Sequence, residues 1–129
     1  MGRSVPAVDV CLSYLDALGR GDVDGAAARV SDGFVNEHTA ALGEGAVGRD
    51  DYRRRLPGFF AALPGLRYEV EEVMAEGERV WVAYTLRAEV TGRPIALRGM
   101  MRFEVHDGVI TRRVDYWDSL QFQRQAGLV

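Results

Sequence analysis

The chain has 129 residues, 47% of them apolar, and its 16 basic residues, all arginine, face 19 acidic ones for a formal charge of −3. That length and apolar content suit one domain, 1–129, able to bury its own core. The acidic balance gives a polyanion nothing to hold, so no nucleic-acid partner is expected; no apolar run approaches a membrane span, and with no charged-then-apolar leader the expected location is the cytoplasm.

In VPAVDVCLSYLDALGRGD, Val5, Val8, Leu12, Leu15 and Leu18 fall at helical spacing, and Gly19 and Gly21 end the helix. Cys11 cannot pair within the chain and reads as a small buried hydrophobe. Asp22 caps a short second helix, DVDGAAARV, and DGFVNEHTAALGEGAVG reads as a brief strand followed by a glycine-rich loop. Asp50 can cap a third helix, DDYRRRLPGFFAAL, in which Pro57 marks a kink or a restarted first turn. Past the Pro64-Gly65 turn the period changes to two. LRYEVEEVMAEG, ERVWVAYTLRAEV, IALRGMMRFEV and VITRRVDYWD read as strands joined by turns at Gly77-Glu78, TGRP and His106-Asp107-Gly108. Three helices and a four-strand antiparallel meander make an α+β domain whose helices cover one face of a curved sheet. Such a sheet encloses a cone, the natural pocket.

Strand alternation sorts the faces. Leu97, Gly99, Met101 and Phe103 oppose Arg98, Met100 and Arg102 and should face inward, as should Val80, Val82, Tyr84 and Leu86. In the last strand Arg113, Asp115 and Trp117 oppose Arg112, Val114, Tyr116 and Asp118, and each face carries one aspartate and one aromatic. Alternation alone leaves the inward face of this strand open.

LSYLDALGRGDVDGAAARVSDGFV resembles the opening of the cone-shaped nuclear-transport-factor-2-like domains, and GRDDYRRRLPGFFAALPGLRYEVEEVMAEGERVWV the middle of their SnoaL-like polyketide cyclase branch. VTGRPIALRGMMRFEVHDGVITRRVDYWDSLQFQRQAGL, with TGRP, FEVHDG and a late aspartate before a Gln-x-Gly, completes that pattern. The resemblance implies a cone-shaped roll of three N-terminal helices on a curved, mostly antiparallel sheet. It places the acid/base aspartate of the cyclase and limonene-epoxide-hydrolase members on Asp115, which turns Asp115 and Trp117 inward. His38 falls where ketosteroid isomerases carry their carboxylate base, Asn36-Glu37-His38 where the epoxide hydrolases carry Tyr-x-Asn, and Tyr14 where the isomerases keep the tyrosine that donates to the oxyanion. Two places depart from the pattern. The isomerases' second acid would lie near Gly99 to Met101, and the hydrolases' Arg-x-Asp dyad at Val82 and Tyr84, so neither activity carries over whole.

Asp115, desolvated in an apolar cone against Trp117, is thus the expected general acid/base, taking a proton from beside a carbonyl and returning it elsewhere, and His38 its relay or orienting partner, or itself the base. The alternative for Asp115 is a structural salt bridge to Arg113 or Arg98. Asn36, Tyr84 and Tyr14 are candidate donors to a developing enolate oxygen; Leu86, Leu97, Met101, Trp117, Phe122 and Phe59 are expected to shape an apolar pocket. Asp118 reads as a solvated strand end or a cap, and the arginine run at 53–55 as a solvated helix face. His38 and His106 lie too far apart in the chain for a metal-ligand spacing, so no metal is expected. The resemblance implies a cofactor-free cyclase or isomerase acting on an apolar polyketide-like or epoxide-bearing intermediate. A water-using hydrolase or dehydratase, or a binding domain without chemistry, are the alternatives. The outward residues Arg98, Met100, Arg102, Arg112, Val114 and Tyr116 mix types enriched at interfaces, so a homodimer through that face is expected. The glycine-rich loop from Gly43 to Gly48 is the candidate lid.

Overall fold

The computed structural model describes residues 5–129. Helix α1 (Ala7–Gly19) buries Val10, Cys11, Tyr14, Leu15, Ala17 and Leu18. The expected stripe holds only at Leu15 and Leu18, because Val5 precedes the helix and is exposed while Val8 and Leu12 flank the seam. A helical period accommodates either of two adjacent stripes, and the one carrying Cys11 and Tyr14 faces the sheet. The Asp22 carboxylate accepts from the Gly25 amide at 2.9 Å and so caps α2 (Val23–Ala27).

Strand β1 (Val30–His38) and the two-residue β2 (Ala46–Val47) precede α3 (Arg49–Ala62). Gly48, not Asp50, occupies the cap position of α3; Asp50 and Asp51 lie in its first turn, where negative charge suits the helix dipole. Pro57 sits midway along α3, and the helix continues through it.

The expected meander forms from β3 (Arg67–Glu76), β4 (Arg79–Val90), β5 (Arg93–His106) and β6 (Val109–Tyr116). Paired positive φ angles at Thr91 and Gly92 (52° and 77°) and at Asp107 and Gly108 (50° and 79°) make tight hairpins whose twist matches the strands. Strand β1 adds in parallel along β6, and β2 pairs outside it, so the sheet has six strands in the order β2-β1-β6-β5-β4-β3.

The inward sets on β4 and β5 are the expected ones: Val80, Val82, Tyr84, Leu86, Leu97, Met101 and Phe103 are all buried. On β6 the alternation is broken. The register with β5 slips between Glu104–Arg112 and Val105–Ile110, a bulge at Thr111 that brings both Ile110 and Arg113 to the covered side. Val114, read as outward, is 1% exposed, with Glu37 and Arg102 as its cross-strand neighbours on either side.

A fourth helix, α4 (Ser119–Gln125), was not anticipated. Asp118 starts it, its carboxylate accepting from the amides of Leu120 (2.9 Å) and Gln121 (3.4 Å). Strand β6 ends at Tyr116, which leaves the first half of β5 without a strand on that side. The Gln125 amide replaces one there, accepting from the Ala96 N–H at 2.7 Å and donating to its carbonyl at 3.0 Å. Since α4 carries Phe122 over the cone, Asp118→Ala should cost about 1 kcal/mol in urea unfolding and speed amide exchange in α4 while sparing the strands. Unchanged stability and exchange would show that the cap contributes nothing.

Candidate active site

Cross-strand pairing sets the centre of the cone. His38 on β1 lies opposite Asp115 on β6, which lies opposite Met101 on β5; one step along, Asn36 lies opposite Arg113. Asp115 and Arg113 are each 3% exposed and form an ion pair, Arg113 Nη2 donating to Asp115 Oδ2 at 2.8 Å. The Tyr84 hydroxyl, reaching across from β4, donates to Asp115 Oδ1 at 2.6 Å. The aspartate therefore does not stand in the wholly apolar cone expected for it: it is salt-bridged to Arg113, as the structural alternative held, and it also borders a cavity. Each carboxylate oxygen has two lone pairs, so both keep capacity for a further donor.

Arg113 is enclosed by hydroxyls. Its Nη1 donates to Tyr14 Oη at 2.9 Å, Tyr14 and Tyr52 share a hydrogen bond, and Tyr68 lines the same cavity as the guanidinium. Burial works against its charge, yet Tyr14, Tyr68, Asp115 and Tyr52 together hold its pKa well above the ordinary value. Burial first, then the charge of Asp115, raises the Tyr84 hydroxyl, so Tyr84 stays a neutral donor.

His38 has a defined protonation. The Trp117 indole Nε1–H donates to His38 Nδ1 at 3.0 Å, and an indole nitrogen cannot accept, so the neutral ring carries its proton on Nε2. Burial and then the charge of Arg113 lower its pKa to about 4, against the opposing influence of Asp115. His38 Nδ1 stands 3.9 Å from Asp115 Oδ2, too far for a hydrogen bond. The two residues share a site without the direct link expected of a relay pair.

A cavity of about 260 Å³ opens onto this centre. Its wall includes His38, Asp115 and six of the residues expected to bind substrate: Phe59, Tyr84, Leu86, Leu97, Trp117 and Phe122. Three others lie elsewhere. Tyr14 is fully buried behind Arg113, and Met101 is enclosed in the core beneath Asp115. Asn36 borders a smaller cavity of about 90 Å³ that shares His38, Phe59 and Arg113 with the first. Sequence reasoning missed Tyr68 and gave Arg113 no role beyond a salt bridge. The alternation that groups Arg113 with Asp115 was the available signal for the arginine; Tyr68 pairs opposite Leu86 and could have been placed by register. Leu42, 49% exposed on the loop between β1 and β2, reaches the cavity mouth ahead of the expected lid segment. No three His, Cys, Asp or Glu side chains converge to hold a metal among the described residues.

The depressed His38 pKa makes stability depend on pH. The unfolded chain takes up this proton as pH falls past 6.5, whereas the folded chain waits until about 4. The contribution of neutral His38 is therefore complete above pH 6.5 and is lost as pH falls toward 4, a difference of roughly 3 kcal/mol. Urea unfolding at pH 7 and pH 4.5 should show a smaller acid loss in His38→Asn than in the parent protein. Parallel losses would contradict the buried neutral imidazole.

The fold can now be set beside known proteins. A search of curated proteins finds no match. A hypothetical protein with a ketosteroid isomerase-like fold from Catenulispora acidiphila, solved with trimethylamine, superposes with a TM-score of 0.84 at 14% identity, over 92% of each chain. An LEH-like epoxide hydrolase from M. tuberculosis gives 0.81 at 22% identity, covering 95% of this chain and 90% of that one. A candidate polyketide cyclase from Xanthomonas campestris gives 0.78 at 22%, covering 93% and 96%. Identities this low carry the fold and not the chemistry. No helix among the described residues is long and apolar enough to cross a membrane. The SnoaL-like domain family matches residues 12–113, well over half of the sequence, and the chain belongs to that family.

Proposed function

We propose that this protein is a cofactor-free cyclase or isomerase that performs acid/base chemistry on a small, mostly apolar molecule bearing a carbonyl or an epoxide. The observation that carries the reading is a single carboxylate, Asp115, held by two donors at the wall of a largely apolar cavity, with a neutral imidazole beside it. Asp115 would take the proton from the substrate and return it. Tyr84 and Arg113 would stabilise its charge between those steps, and the His38 Nε2–H would donate to the oxygen on which negative charge develops. That gives His38 the part of a donor, not of a base. At about 260 Å³ the cavity lies just below the usual range for drug-sized ligands, roughly 300–1,000 Å³. It suits a compact substrate folded against Trp117 and Phe122, with water excluded when the loop carrying Leu42 closes.

Two observations favour other readings. Asn36 Oδ1 and Arg113 Nε are buried without a partner among the described residues and both side chains border the smaller cavity, where an acceptor and a donor suit water, which favours a hydrolase. The pairing of Asp115 with Arg113 and Tyr84, one donor on each oxygen, also suits a cone that only binds. One experiment separates all three. With a candidate epoxide or β-keto substrate in ¹⁸O-labelled water, a cyclase or isomerase turns over without placing solvent oxygen in the opened bond, and Asp115→Asn lowers kcat by about 10²–10⁴. Incorporation of ¹⁸O would favour the hydrolase. Unchanged rates in Asp115→Asn, or co-purification of an intact apolar ligand that is never converted, would contradict the acid/base reading.

The outer face supports the proposal of a homodimer. Met100 and Tyr116 are exposed between the ion pairs Arg98–Glu71 and Arg112–Glu37. Val114 is removed from the expected contact set by its burial. Sedimentation should give twice the chain mass, falling to one chain in Met100→Glu/Tyr116→Glu; a monomeric parent protein would contradict it.

A further inference from the structure

Gly99 lies on the inner side of β5 directly opposite Tyr84 of β4, two residues before Met101, whose partner on β6 is Asp115. A Cβ at this position would stand 2.7 Å from Tyr84 Cζ, closer still to its hydroxyl oxygen, and 2.9 Å from the Tyr116 carbonyl oxygen. Carbon atoms do not approach so closely, so the space exists only because the residue has no side chain. Its backbone is not in the left-handed region, so conformational freedom is not what the position requires.

Two arms of the site converge over this notch. From one side the Tyr84 phenol leans across β5 to donate to Asp115. From the other, β6 ends at Tyr116 with its carbonyl against Gly99, and the next residue, Trp117, turns its indole onto His38. The first arm sets the donor on the carboxylate; the second sets the tautomer of the imidazole.

We infer that Gly99 is a positioning residue that fixes both hydrogen bonds, Tyr84 to Asp115 and Trp117 to His38, by leaving room for their carriers to cross β5. It touches no substrate and acts through the two aromatic side chains. The catalytic meaning of these bonds rests on the acid/base reading above, but the geometry of the notch does not.

The test compares Gly99→Ala, Gly99→Ala/Tyr84→Leu and Gly58→Ala, a glycine substitution on α3 with nothing within 4 Å of the added methyl. In ¹⁵N-labelled protein without ligand, Gly99→Ala should move the Trp117 indole N–H resonance upfield toward that of a free indole. It should also raise the His38 pKa from about 4 by on the order of one unit as the ring is released toward solvent. Gly58→Ala should change neither. Gly99→Ala should cost less stability in the Tyr84→Leu background than in the parent, because the phenol it displaces is gone. If Gly99→Ala alone does not fold, the double variant decides, since its folding supports the notch and its equal failure contradicts it. Parent-like indole and His38 signals in Gly99→Ala would overturn the inference. The acid/base reading would then still stand, because no step of this experiment uses a substrate.

Discussion

The interior of this protein is organised around one buried ion pair. Arg113 and Asp115 are two residues apart on β6 and both point into a cone whose other walls are largely apolar. Moving either charge out of water costs several kcal/mol, and their mutual attraction offsets this only where further hydrogen bonds satisfy the remaining donors and lone pairs. Tyr14 and Tyr84 bond the pair directly and Tyr52 bonds Tyr14, which meets most of that requirement from α1, β4 and α3, while Arg113 Nε finds no partner among the described residues. The pair therefore ties α1 and α3 to the strands of the sheet.

That network also determines the chemical character of the cavity. A permanent cation close to His38 discourages a second positive charge, and burial acts in the same direction, so the imidazole is kept neutral. The Trp117 indole then selects its tautomer. The centre consequently presents one carboxylate and several neutral donors to a low-dielectric space, where hydrogen bonds to developing charge are stronger than in water. Relatives that keep an acid near Gly99 to Met101 would face a different balance. In this chain the place is a glycine, and a tyrosine from the next strand reaches across it.

Much of the fold was legible because it rests on local signals. The change from helical to two-residue period, the TGRP and His-Asp-Gly turns, and the apolar inward sets of β4 and β5 all follow from short stretches of sequence. What escaped depends on contacts distant in sequence. Helix α4 has little apolar periodicity, and it is held by the Asp118 cap and by Gln125 standing in for a strand on β5. Each face of β6 carries one aspartate and one aromatic, so only the resemblance could turn Asp115 inward, and the bulge at Thr111 brings Ile110 to the covered side along with Arg113. The same limit applies to the site. The resemblance places Asp115, His38 and Trp117 together, with a salt bridge to Arg113 as an open alternative, but the burial of Tyr14 behind the guanidinium and the occupied Nδ1 of His38 depend on side-chain positions that no spacing encodes.

The central claim is that the Arg113–Asp115 pair is a coupled unit on which the interior depends. It is tested most directly by a double-mutant cycle in urea, using Arg113→Met, Asp115→Leu and the two together. Each single substitution leaves an uncompensated buried charge and should cost about 3–5 kcal/mol, while the double substitution, which removes both charges, should cost far less than the sum. Additive losses would mean that the two charges are stabilised independently, and the account of this interior as one linked network would fail.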